Sequence, residues 1–222
     1  MLVQMTYCED IRIPNLGANL NQVFSLNSIN KPNVTATAPP LSTHQPRGHD
    51  EWQKLYTRYC VVGASVTVQP LYGDSDAANN NTTLVGHLDD SPVVVAYPVP
   101  TIIELGMRGK SKYLQVGDPS RGVLQKRSPK LHWKIGMKKF FGIKKSTQVI
   151  FPSALGLGND TPGSLGEPDK ITSDFGSSPL NQCYLKLACD NSTANPAFPE
   201  VTARVTIRYT CLLYDPPEIG GS

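Results

Sequence analysis

The chain has 222 residues, enough for one domain with a substantial buried core, and we expect residues 1–222 to form a single domain. Charged residues make up only 18% of it, whereas glycine (18 residues) and proline (19) are plentiful, a mixture that favours short strands joined by turns over a helical bundle. The formal net charge of +3 does not by itself indicate a nucleic-acid-binding protein, and no apolar run is long enough to predict a membrane span.

Alternating apolar residues predict a first strand at the start of the chain. Val3, Met5 and Tyr7 share one face and the alternation continues to Ile13, the period of two that is typical of a half-buried strand. No basic segment followed by an apolar run precedes this strand, so a secretory signal is expected to be absent or already removed. A further strand is predicted at 21–29, before a loop rich in proline and threonine.

A short helix is predicted at residues 49–58, within the stretch "QPRGHDEWQKLYTRY" (45–59). Pro46 and Gly48 predict a turn before it, and Asp50 suits the N-cap or the first helical turn. Large apolar and aromatic side chains then recur at about helical spacing, and we expect them to form one face that closes an end of the β-structure. These residues are Trp52, Leu55, Tyr56 and Tyr59.

The middle of the chain predicts one clear strand and several weaker elements. The segment "CVVGASVTVQPLY" (60–72) alternates, and the polar segment 73–83 is predicted to be a loop. The core face of the clear strand is expected to hold Cys60, Val62, Ala64, Val66 and Val68. Weaker strand candidates are 91–99, 112–116, 122–133 and 147–151, and short helices are predicted at 101–107 and 136–142.

Two segments near the end of the chain alternate strictly between apolar and polar residues. They are "QCYLKLAC" (182–189) and "VTARVTIRYTCLLY" (201–214), and the loop between them predicts that they pair as antiparallel neighbours. The five cysteines form no Cys-x-x-Cys pair, which argues against a zinc ribbon or a redox motif. Four of them fall in phase with apolar residues, so we expect reduced thiols in the core: Cys60, Cys183, Cys189 and Cys211.

These elements predict an all-β fold with only brief helices between strands. Eight or so antiparallel strands, long loops and a long final strand fit an eight-stranded, two-sheet jelly roll. An immunoglobulin-like sandwich is the alternative, but it would be smaller, and its Cys…Trp…Cys spacing is missing from this chain.

Several of these segments, taken in order, resemble a known family. "FSLN" (24–27), "QPRGHDEWQKLYTRYCVVGASVTV" (45–68) and "VTIRYTCLLYDP" (205–216) resemble capsid proteins of circular, replication-initiator-encoding single-stranded DNA viruses. Those proteins are similar to the single jelly rolls of small satellite and nodavirus-like RNA viruses. The resemblance covers most of the chain, and it implies that the helix at 49–58 also fixes a loop that meets a neighbouring subunit.

The resemblance implies a coat protein that assembles with copies of itself into an icosahedral shell around single-stranded DNA. The implied location is the virion, with assembly inside the host cell, where the nucleus is one candidate compartment. Such proteins usually begin with an arm rich in arginine and lysine. Here the first basic residue is Arg12, so either an arm precedes this chain or the protein lacks one.

Nine of the 21 basic residues lie between Asp118 and Asp160, a segment with no carboxylate. Cations that neutralise phosphates release counterions, and the interleaved Trp133, Phe140 and Phe141 suggest rings that stack on unpaired bases. The candidate nucleic-acid-binding residues are Arg121, Lys126, Arg127, Lys130, Lys134, Lys138, Lys139, Lys144 and Lys145. The alternatives are a subunit interface, a solvated face or an outer site for a polyanion such as a host-surface glycan.

No catalytic residue is predicted, because the chain has no nucleophile elbow, P-loop or dinucleotide-binding fingerprint. Its four histidines are far apart in sequence, which disfavours a metal-dependent cupin-like enzyme. No cofactor is expected except interfacial calcium, for which the weak candidate ligands are Asp74, Asp76, Asp89 and Asp90. A carbohydrate-binding β-sandwich remains the alternative to the coat protein, and it would use loop aromatics and these carboxylates.

Overall fold

The computed structural model describes residues 1–13, 22–35, 44–71, 82–93, 99–106, 108–114, 130–142, 171–191 and 201–216. Its strands are β1 (Leu2–Ile13), β2 (Gln22–Ser25), β3 (Arg58–Pro70), β4 (Thr82–Asp89), β5 (Gly109–Leu114), β6 (Leu131–Gly136), β7 (Thr172–Asp174), β8 (Tyr184–Asn191) and β9 (Val201–Tyr214). Its helices are α1 (His49–Gln53), α2 (Val99–Glu104) and α3 (Met137–Phe140). None of these helices is long and apolar enough to cross a membrane.

The strands form two antiparallel sheets that pack face to face. The first sheet has the order β1-β9-β3-β6, with β7 also pairing with β3, and the second has the order β2-β8-β4-β5. The chain therefore passes from one sheet to the other after β1, β2, β3, β5, β7 and β8, and the two sheets have the strand order of a jelly roll. The predicted all-β jelly-roll fold is confirmed, and β7 adds a three-residue strand to the predicted eight.

The predicted pairing of the last two strands is wrong. β9 lies between β1 and β3, and its register with β1 runs unbroken from Leu2–Leu212 to Ile13–Val201. β8 instead lies between β2 and β4 in the other sheet. Alternation identifies which face of a strand is buried but not its partner, so adjacency in sequence was a poor guide here.

Strand β4 has no counterpart among the predicted strands, and α2 begins where a strand was predicted. Residues 84–88 are all buried, because one face of β4 meets the other sheet and the other face meets α2. Val85, Ile102 and Ala188 form the small cluster beneath α2. Of the predicted strand at 91–99, Val99 belongs to α2, residues 91–93 are not strand, and the rest lies outside the described residues.

A β-bulge divides the predicted core face of β3. The register with β9 shifts between Val61 and Gly63. After the bulge Ala64, Val66 and Val68 face the main core, as predicted. Before it Cys60 and Val62 face the outer side of the sheet, where they pack in a small cluster that includes Ile171, Phe141, Leu212 and Tyr214. The extra residue of a bulge reverses the face on which the side chains before it lie. The prediction from uninterrupted alternation was therefore wrong for Cys60 and Val62.

Helix α1 is shorter than predicted and ends at Gln53 instead of residue 58. Gly48 is its N-cap with φ 88°, a left-handed conformation that glycine adopts without steric cost, and Asp50 lies in the first turn as predicted. Thr57 N–H already donates to the carbonyl of Asp215 at 2.9 Å, and β3 begins at Arg58. Tyr59 therefore belongs to the sheet, because pairing with β9 competes successfully with extension of the helix.

None of the five cysteines, all of which lie in the described residues, forms a disulfide, and Cys8 is the exposed one. Burial raises the pKa of the Cys60 thiol to about 12 and also raises the pKa of Cys183 and Cys211. Because the thiolate is the reactive form, a thiol-specific dye should label one cysteine in the native protein and five after denaturation. Cys8→Ser should abolish native labelling; rapid labelling of a second cysteine in that variant would contradict the burial of the other four.

Candidate nucleic-acid interface

Strand β6 displays part of the predicted basic segment on the outer face of the first sheet. Lys130, His132 and Lys134 are exposed, whereas the intervening Leu131 and Trp133 are buried, as the alternation of a strand requires. Lys138 and Lys139 follow on α3, where Lys139 is exposed and Lys138 is half-buried. The other predicted cations lie outside the described residues: Arg121, Lys126, Arg127, Lys144 and Lys145.

The aromatic residues of this segment do not form an exposed stacking platform. Trp133 is only 2% exposed and belongs to the main core. Phe140 and Phe141 are half-buried and pack against the core and against each other, with ring centroids 5.0 Å apart. The guanidinium of Arg108 also lies 5.5 Å from the Phe140 centroid. Among the described residues of this segment, Lys130, Lys134 and Lys139 are exposed, whereas the three aromatic rings pack within the fold.

Strand pairing adds arginines to these lysines. Ser65 pairs with Lys134 on one side and with Arg208 on the other, so a single row crosses three strands. Thr67 likewise pairs with His132 and with Thr206. We call the outer side of this part of the sheet the basic face; its cations are Arg12, Arg204, Arg208, Lys130 and Lys134.

Asp10 is the single carboxylate on the described part of the basic face. Its two oxygens accept hydrogen bonds from Arg204 Nε at 2.7 Å and Nη2 at 2.8 Å. The hydrogen bonds from Arg204 hold the pKa of Asp10 below its usual value. At the other end of the same sheet, Arg58 lies 3.5 Å from Asp174 and 3.9 Å from Asp215. The acidic residues of this sheet are therefore largely matched to Arg204 and Arg58, and the basic face keeps an excess of positive charge.

The predicted calcium ligands are not brought together by the described structure. Asp89 ends β4 and accepts a hydrogen bond from the buried ammonium of Lys186, which also donates to the carbonyl of Val93 at 2.6 Å. Asp90 is exposed next to it, while Asp74 and Asp76 lie outside the described residues. Within the described ranges, no three His, Cys, Asp or Glu side chains cluster closely enough to hold a metal ion. Calcium binding therefore stays a prediction.

The residues predicted to form the face of α1 have separate roles. Trp52 and Tyr56 are half-buried and pack against the core, with ring centroids 6.3 Å apart. Tyr59 is fully buried in β3, and its hydroxyl donates to the carbonyl of Ser177 at 3.0 Å. Leu55, in the turn after α1, is 56% exposed. Among these four residues, Leu55 is the one that offers an apolar side chain to a neighbour.

Comparison with known proteins finds matches only among solved structures. No family profile and no curated protein matches the chain. A chain of turnip yellow mosaic virus is 14% identical, with 98% of this chain and 94% of that chain covered and a TM-score of 0.46. Chains of tobacco necrosis virus (11%, TM-score 0.46) and cocksfoot mottle virus (8%, TM-score 0.48) each match over 98% of this chain and 97% of their own. The jelly-roll assignment rests on the strand order described above, and the predicted likeness to single-stranded DNA viruses stays a prediction.

Proposed function

We propose that this chain is a viral coat protein that assembles with copies of itself into an icosahedral shell around single-stranded DNA. The observation that carries the proposal is the jelly-roll strand order, formed by a chain whose segments 24–27, 45–68 and 205–216 resemble capsid proteins in the same sequence order. The proposed location is the virion, with assembly in the host cell and the nucleus as a candidate compartment.

The edges of the two sheets support an assembling protein. β1 and β2 are end strands of their sheets, and β1 is 12 residues long; Arg47 N–H donates to the Thr6 carbonyl of β1 at 3.2 Å, but no second strand among the described residues flanks β1 opposite β9. Near the start of β1, Met1 and Leu2 are more than half exposed, and Tyr56 donates its hydroxyl to the Met1 sulfur. Packing between subunits in a closed, symmetric shell would cover such edges and apolar side chains.

The described residues also bear on the alternative functions. A cupin-like enzyme needs a cluster of metal ligands, and the part of the chain that the structure describes contains none. A calcium-dependent glycan-binding module needs free carboxylates, whereas Asp89 is engaged by Lys186. Neither alternative is favoured by a specific contact, so we treat them as outcomes of the experiment.

Electron microscopy of the expressed chain tests the proposal. We expect uniform closed particles, because subunit contacts should form spontaneously once the jelly roll has folded. Absorbance at 260 and 280 nm on the same fraction should show retained nucleic acid, and nuclease treatment of opened particles should remove that signal. A monodisperse monomer or small oligomer at every salt and calcium concentration would contradict the proposal. Calcium-dependent binding of that monomer to glycans would instead favour the carbohydrate-binding module.

A further inference from the structure

The basic face has the spacing of a contact surface for an extended polyanion. Adjacent strands lie about 4.8 Å apart, so Arg208 on β9 and Lys134 on β6, with β3 between them, are rooted about 10 Å apart. Arg204 and Arg208 are four residues apart on the same strand, about 13 Å. Long side chains on this grid can reach several charges of one flexible chain that lies across the sheet.

Two cations of this grid have no protein partner in the described structure. Neither Arg208 nor Lys134 makes a hydrogen bond or an ion pair with any described residue, and both are exposed. Arg204, by contrast, is held by Asp10. An exposed cation without a partner gains more from a phosphate than one that is already paired, because no existing ion pair has to be broken.

The side chains between these cations are small and polar. Ser65 lies between Arg208 and Lys134, and Thr67 lies between Thr206 and His132, with Thr67 Oγ1 and His132 Nδ1 3.1 Å apart. Hydroxyl groups are common donors to phosphate oxygens. No large apolar side chain interrupts these two rows, so a sugar-phosphate backbone can approach the sheet along its polar surface.

We propose that the basic face binds the phosphate backbone of single-stranded nucleic acid, without base specificity, through Arg208, Lys134 and the hydroxyls between them. A flexible single strand can follow this grid, whereas the buried Trp133 leaves backbone contact rather than base stacking as the source of affinity. The inference rests on the proposed function, which supplies nucleic acid as the occupant of this face. It deepens that function because it assigns the outer side of the β1-β9-β3-β6 sheet to the interior of the shell. It also adds Arg204 and Arg208, which lie outside the basic segment.

Removing two phosphate contacts has a calculable effect on binding. For single strands each contact contributes about 0.7 to the slope of log K against log salt, so loss of two lowers the slope by about 1.4. At 0.1 M salt the same loss weakens binding about 25-fold. Both values assume that each of the two cations contacts a phosphate. Removing two positive charges from another part of the surface would not change the salt slope and the affinity by these amounts.

Fluorescence anisotropy of a labelled oligothymidylate over a salt series tests the inference. The double variant Arg208→Gln/Lys134→Gln should show a salt slope lower by about 1.4 and binding about 25-fold weaker at 0.1 M salt. The control Lys31→Gln/Lys112→Gln removes the same charge from exposed sites off this face and should bind as the wild type does. The charge-conserving variant Arg208→Lys/Lys134→Arg should retain binding and guards against misfolding of the first variant, whose thermal unfolding is checked in parallel.

Three results would overturn the inference. The first is wild-type affinity in the glutamine variant of the basic face. The second is an equal loss in the control, which would mean that only net charge matters. The third is that the glutamine variant of the basic face loses binding to a sulfated polysaccharide but keeps its binding to oligothymidylate, which would make the face a glycan site. The outcome is separable from the proposed function, since oligonucleotide binding is measured on subunits whether or not shells form.

Discussion

Replacing Asp89 by alanine should lower the free energy of unfolding by about 3–5 kcal/mol, because it leaves a buried ammonium without its counter-charge. The Lys186 side chain is only 1% exposed, and its partners are the Asp89 carboxylate and the Val93 carbonyl. Urea unfolding at neutral pH measures the loss.

Asp10→Ala is the matched control, since it breaks the ion pair between Asp10 and Arg204. Both of these side chains are about half exposed. That change should cost at most about 1 kcal/mol, the usual worth of a surface pair. The double variant Asp89→Ala/Lys186→Met removes both charges and should recover much of the stability lost in Asp89→Ala. A cost for Asp89→Ala as small as that of Asp10→Ala would contradict the buried-pair explanation.

The stability difference between wild type and Asp89→Ala should depend on pH. Burial acts to raise the pKa of Asp89, but the hydrogen bond and charge of Lys186 outweigh it and hold the pKa below its usual value. A carboxyl with a lowered pKa contributes its full stability above the unfolded value, about 3.9, and loses it as pH falls through the folded value. The gap between the two proteins should therefore be constant near neutrality and narrow below about pH 4.

The amphipathic strands were predictable from the sequence, and the doubly buried ones were not. β9 was predicted at its observed bounds because one of its faces meets the core and the other meets solvent. β4 was missed because α2 and the facing sheet bury both of its faces, which removes the alternation. The polar residues at each end of β4 also favoured loops over a strand.

The candidate interface was predictable only within one segment of the chain. Lys130 and Lys134 belong to a run of cations that the sequence displays directly, and Arg204 and Arg208 were visible on the polar face of β9. Their proximity depends on β3 lying between β6 and β9, a register between distant segments that no local pattern encodes. At Trp133 the sequence suggested a ring that stacks on bases, whereas the side chain lies in the core. An aromatic residue among lysines on an alternating strand fits either role.

The largest effect that we expect in the core is at Trp133, where Trp133→Ala should cost about 3–5 kcal/mol. The indole is 2% exposed, and it occupies space left by Gly86 on the opposite sheet. A Cβ at Gly86 would lie 2.8 Å from Trp133 Cη2 and 2.8 Å from Leu187 Cδ2, so the glycine is needed for the two sheets to pack around the ring. Alanine at Trp133 would leave a cavity that these neighbours only partly fill.

Trp133→Phe is the control, since it keeps an aromatic ring and loses no hydrogen bond: Trp133 Nε1 has no partner among the described residues. It should cost less than the alanine variant. Gly86→Ala should destabilise the wild type through the clash and should do so less in the Trp133→Phe background, giving a measurable coupling in a double-mutant cycle. Additive costs would contradict the packing of Trp133 against Gly86. Because Trp133 and Lys134 are consecutive on β6, that packing also anchors the strand whose other side carries the basic face.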